Sequence, residues 1–100
     1  MVDSDAGREA LSAIDAALRA RPDKPGDVLS HATQSLCTLR EEMIAAARHE
    51  GAASGRRERL ERVNAIISVV LAVYFPLGDV PWWELEKARC WLADIVGVTG

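Results

Sequence analysis

The sequence predicts an all-α domain, four-helix-bundle-like and built on a long antiparallel helical hairpin of its second and third helices. Three observations predict it. Stretches of turn composition at 21–26 (RPDKPG), 51–55 (GAASG) and 76–81 (PLGDVP) leave four segments of helical length, at about 5–20, 27–49, 56–75 and 81–96. No stretch alternates apolar and polar residues persistently enough to read as a strand. Sixteen of the residues behind the 49% hydrophobic content are alanine, which favours helix and fills little volume, so 33 larger apolar residues must build the core. A chain of 100 residues has room for one such core, and 1–100 reads as a single helical domain.

Segment one offers Leu11, Ile14 and Leu18 on one face, with Ala10 and Ala17 beside them and Asp3 or Ser4 as a cap. Three large apolar residues anchor a helix thinly, so this one is expected to be the most mobile. Segment two starts from Asp27 as N-cap and stops at Gly51. Its seam of Leu29, Ala32, Leu36, Leu39, Met43 and Ala46 alternates at spacings of three and four, the a/d stripe of a helix that wants one long partner.

Segment three supplies that partner through Leu60, Val63, Ile67, Val70 and Tyr74, and the short connection at 51–55 favours an antiparallel pair. Ile66, Val69, Leu71 and Val73 widen its apolar arc, which must then touch more than one neighbour. Segment four opens on Pro81, with Glu84 and Glu86 suited to the helix dipole. Leu85, Ala88, Leu92, Ile95 and Val96 form its inward face; Trp82 and Trp91 fall on the flanks, and Trp83 and Cys90 project almost opposite the core.

Charge and composition narrow the class. Twelve Lys and Arg against 15 Asp and Glu give a net charge of −3, which argues against a general polyanion binder. The first residues are acidic and lack the basic and apolar regions of a signal or transit peptide, so a cytoplasmic location is expected. The uncharged stretch 63–78 is broken by Pro76, leaving about 20 Å of helix against a hydrocarbon core of about 30 Å, a core helix and not a membrane span. Cys37 and Cys90 have neither CxxC spacing nor a nearby histidine and read as buried or half-buried free thiols; no metal and no cofactor is implied.

The residue with most to say is Trp83. All five aromatics lie in the last 27 residues, and a tryptophan about 160° around its helix from Leu85 is either solvent-facing or pressed into another surface. Tryptophan is enriched at interface hot spots, and Lys87 is one turn from both Trp83 and Trp91, within reach of a cation–π contact. The bland alternative is that helix one folds over this face and buries the ring.

Arg56, Arg57, Arg59 and Arg62 form the basic cluster of the chain, offset by Glu58 and Glu61 through i,i+4 pairs. It reads as a solvated face or as the charged rim of a contact for an acidic partner; with a net charge of only +2 and no aromatic among them, nucleic acid is not expected. His31 and His49 are about 27 Å apart along one helix and cannot share a metal.

The segment 31–35 (HATQS) can be set beside the histidine phosphotransfer family, in which the phosphorylated histidine is followed by lysine at the third position and glycine at the fourth. Gln34 and Ser35 stand there instead, which removes the cation that would stabilise a phosphohistidine. His31 as phosphoacceptor is therefore the competing reading. The run 63–71 with Phe75-Pro76 resembles the late helix of the TraM-type quorum-sensing antiactivators, small all-helical homodimers that sequester a transcription factor. That likeness covers about a dozen positions, and helix four has no counterpart in it.

No phosphate loop, metalloprotease motif or nucleophile elbow is present, and no catalytic residue is expected. The reading that follows is a small non-enzymatic protein-binding or regulatory module of the adaptor or antiactivator type. It is expected to be a homodimer through helices three and four, with Trp83, Lys87 and Trp91 as anchors and Arg56, Arg57 and Arg59 as a rim, and without nucleic-acid or membrane partners. A small-ligand bundle would instead need a cavity among Met43, Tyr74 and the tryptophans.

Overall fold

The computed structural model describes residues 5–50 and 54–97, without the side chains of 47, 49, 50 and 54–56. These residues form four helices and no strand: α1 (Asp5–Ala20), α2 (Gly26–Glu50), α3 (Ser54–Tyr74) and α4 (Trp82–Val96). The expected caps Asp3 and Ser4, and residues 51–53 of the GAASG connection, lie outside the described residues.

Local chemistry sets the ends. Arg21 closes α1 in the left-handed region, at φ +40°, while its N–H still bonds the Ala17 carbonyl at 2.8 Å. For a residue with a Cβ that geometry costs on the order of 1 kcal/mol. The side chain offsets the strain: Nε donates to the Leu18 carbonyl, the guanidinium pairs with Glu86 of α4, and its carbon lies 5.9 Å from the Trp82 ring centre.

α2 begins one residue before the expected cap. The Pro25 carbonyl accepts the N–H groups of Val28 and Leu29, so Gly26 opens the helix and Asp27 sits inside its first turn, where a carboxylate favours the dipole. α4 starts after Pro81, whose carbonyl takes the N–H groups of Glu84 and Leu85, and ends at Gly97 in the left-handed region, φ +78°.

Each helix touches two others. α1 packs on α2 and α4, and α3 packs on the same two; among the described residues α1 and α3 stand diagonally and do not meet. The core is built from Leu29, Ala32, Leu36 and Leu39 of α2, from Val63, Ile66, Val70 and Val73 of α3, and from Leu85, Ala88, Leu92, Ile95 and Val96 of α4. α1 adds Ala10, Leu11, Ile14 and Ala17, and Gly7 lets it approach closely: a Cβ there would stand 2.9 Å from Val96 Cγ1.

The expected seams shift in two places. Met43 is only half-buried and Ala46 exposed, so the buried α2 seam ends at Leu39 among the described residues. In α3 the fully buried stripe is 63, 66, 70 and 73, while Ile67 and Tyr74 are half-buried and Leu71 is exposed. A helix held between two neighbours buries the arc between them, not the arc facing one alone.

Candidate protein-binding surface

α4 presents its tryptophans in three different environments. Trp82 is half-buried on the α1 side, under Arg21. Trp91 is half-buried on the α3 side, with Lys87 Nζ 5.3 Å and the Arg62 guanidinium carbon 5.8 Å from its ring centre. Trp83 projects outward and is 68% exposed; α1 does not cover it. The seam between α1 and α4 lies along another side of the helix, where Arg89 Nε donates to Asp15 Oδ1 at 2.6 Å. That hydrogen bond, then the Asp15 charge, raises the Arg89 pKa above an already high ordinary value, so the guanidinium stays charged.

Three more large apolar side chains are exposed among the described residues: Phe75 at 67%, Leu77 completely, and Leu71 at 40%. Phe75, Leu77 and Trp83 all belong to the end of the domain where α3 passes into α4, a concentration of apolar surface that isolated exposed residues do not make.

The predicted rim is brought to α4 through a different residue. Arg57 and Arg59 are exposed on the first turns of α3, Arg57 pairing with Glu61 at 3.6 Å, and the Arg56 side chain lies outside the described residues. Arg62, expected to pair with Glu58, lies instead over Trp91, a contact worth about 0.5–1 kcal/mol at an exposed site. Its partner is on another helix, so no spacing in the sequence announces it.

His31 is exposed on α2, with Nε2 3.5 Å from Glu9 Oε2 of α1. The neighbour that geometry gives this histidine is a carboxylate, which would repel a phosphoryl group. The His49 side chain lies outside the described residues. Both thiols are exposed, correcting the expectation of burial: Cys37 and Cys90 stand on outer arcs of α2 and α4. Among the described residues no three His, Cys, Asp or Glu side chains gather as metal ligands, and no helix is long and apolar enough to cross a membrane.

Sequence reasoning misses the outer face shared by α2 and α3. An open groove there is lined by Ser30, Thr33 and Gln34 of α2, by Leu71 and Tyr74 of α3, and by Phe75 just after it. The hydroxyls along this face donate to carbonyls of their own helices: Ser30 to Asp27, Thr33 to Leu29 and Ser68 to Asn64. Asn64 Oδ1 is taken by Arg40 Nε at 2.8 Å. The groove does not join Met43 to the tryptophans, as a ligand cavity of the expected kind would require. No protein-family model, no curated protein and no solved structure matches this chain.

Proposed function

We propose that this protein is a non-enzymatic protein-binding or regulatory module of the adaptor or antiactivator type, and that it works as a homodimer. The observation that carries the reading is Trp83, held outward and exposed on a helix whose core face is already complete. A rigid aromatic of this size at a surface contributes large contact area at little entropic cost, which is what interface anchors supply. In this reading the α2–α3 pair is a long antiparallel hairpin: the start of α2 lies against Tyr74 at the end of α3, and Arg40 reaches Asn64. α1 and α4 are packed on that hairpin, and Lys87, Trp91 and Arg62 form a cationic, aromatic border beside Trp83.

The test is affinity capture from the native lysate followed by binding of the purified partner. Trp83→Ala is expected to weaken that binding at least about tenfold, the order of a hot-spot truncation, with the helical circular dichroism unchanged. Equal binding by wild type and Trp83→Ala would refute the assignment. Acid-labile phosphate transferred from acetyl phosphate and abolished in His31→Gln would favour phosphotransfer instead.

A further inference from the structure

The α2–α3 face and the distribution of charge together point to a second binding surface, distinct from Trp83. Residues 28–39 of α2 and 63–78, which cover most of α3 and the loop after it, contain none of the 27 charged side chains of the chain. The two stretches lie side by side, since α2 packs on α3 and residues of both line one groove. His31, the one titratable imidazole in them, is drawn to the α1 side by Glu9.

The outcome is an uncharged surface two helices wide, with Leu71 and Phe75 exposed and its hydroxyls already bonded to their own backbones. Covering such a surface strips no ion of water and breaks few hydrogen bonds to solvent. Charged partners are poorly matched to it; an equally uncharged face is well matched.

We infer that a second copy of this chain docks on the α2–α3 face about a two-fold axis, with the helices of the two copies antiparallel. The charges at the two ends of the face select both occupant and direction. At the end near Phe75 exposed Asp23, Asp27 and Asp79 against exposed Lys24 give −2. At the other end, among the described residues, exposed Arg40, Arg48, Arg57, Arg59 and Arg62 outnumber exposed Glu41, Glu42, Glu58 and Glu61, giving 5 − 4 = +1. An antiparallel two-fold sets the negative end of each copy against the positive end of the other; a parallel one sets like against like. The inference rests on the reading that the protein works through protein contacts as a homodimer, and it moves the self-contact from α3 and α4 to α2 and α3, leaving Trp83 open to a different partner.

A charge exchange between two full-length variants tests it. Wild type is expected to sediment at twice 10.9 kDa. Asp27→Lys/Asp79→Lys makes both ends positive, and Arg48→Glu/Arg57→Glu makes both negative. Each alone is expected to sediment as a folded monomer at low salt, and an equimolar mixture to recover the dimer mass as a heterodimer. Leu71→Glu is expected to weaken self-association about a hundredfold or more, since it buries an unpaired carboxylate, with circular dichroism unchanged.

A wild type that stays monomeric at the highest workable concentration overturns the inference. So does a dimer untouched by Leu71→Glu, or a mixture of the charge variants that stays monomeric. Partner binding sensitive to Trp83→Ala but indifferent to Leu71→Glu would leave the protein-binding reading standing in each of those cases, while a monomeric wild type would remove the homodimer from it as well.

Discussion

α1 and α3 stand diagonally across the domain and bury similar stripes, Ala10, Leu11, Ile14 and Ala17 in one and Val63, Ile66, Val70 and Val73 in the other. Their outer faces have nothing in common. α1 turns Arg8, Glu9 and Ser12 to water and fastens its flank on α4 with the Asp15–Arg89 ion pair, while Glu9 lies 3.5 Å from His31 on the α2 side. α3, beyond its first turns, turns outward Asn64, Ala65, Ser68, Leu71 and Ala72, and exposed Phe75 follows it. Core packing makes the same demand of both helices, so the difference is carried by what lies outside the core. α1 exposes charged side chains, and α3, beyond its first turns, exposes an uncharged surface with Leu71 on it.

The sharpest way to break this comparison is to empty the stripe on one side and the exterior on the other. Ile14→Ala is expected to lower the unfolding free energy by about 2–5 kcal/mol, because it leaves a cavity at a fully buried site; urea unfolding followed by circular dichroism measures it. A loss well under 1 kcal/mol would mean that α1 is not an integral part of the core.

Gly7→Ala probes the close approach of α1 to α4. Alanine gains about 1 kcal/mol of helix propensity over glycine, yet its Cβ would meet Val96 Cγ1 at 2.9 Å. Valine is stiff and cannot turn aside, so overpacking of about 1–3 kcal/mol is expected to prevail and lower the melting temperature. A rise in melting temperature would show that the two helices can separate freely.

A double-mutant cycle on Asp15 and Arg89 is expected to return a coupling of about 1 kcal/mol, reduced from that of a buried pair because both side chains stay partly exposed, at 35% and 22%. The raised pKa of Arg89 fixes the sign of its alkaline behaviour. A group whose folded-state value is raised contributes stability below its unfolded pKa and loses it only above, so titration from neutral to about pH 10 leaves this seam intact. The smallest effect belongs to the exterior of α3: Leu71→Ser is expected to change stability by no more than about 0.5 kcal/mol at concentrations where the protein is monomeric.

Much of the fold was legible because the breakers are unambiguous: Pro22 with Pro25 and Pro76 with Pro81 bracket segments that no strand pattern competes for. The position of Trp83 opposite the core face of α4 was legible too, since Leu85, Ala88 and Leu92 fix the inward direction of a short helix; that α1 leaves the ring uncovered was not, because it depends on where α1 packs. α3 resisted, because a helix apolar on most sides does not state which arc is buried; its neighbours decide, and placed Ile66 and Val73 inside while leaving Leu71 out. The Arg62–Trp91 contact and the inward-bonded hydroxyls were invisible for a simpler reason. They depend on which helix stands beside which, and on rotamers that residue types do not fix.

The close approach of Gly7 to Val96 places the two ends of the described chain side by side, with Arg89 and Asp15 joined across 74 residues and Arg21 and Glu86 across 65. The backbone therefore traces a nearly closed circuit through the four helices. In such a circuit the order in which the helices are joined is separable from the way they pack. A short polar linker bridging the ends, with new termini cut in the exposed turn at 77–79, would give a permuted chain able to keep the same core.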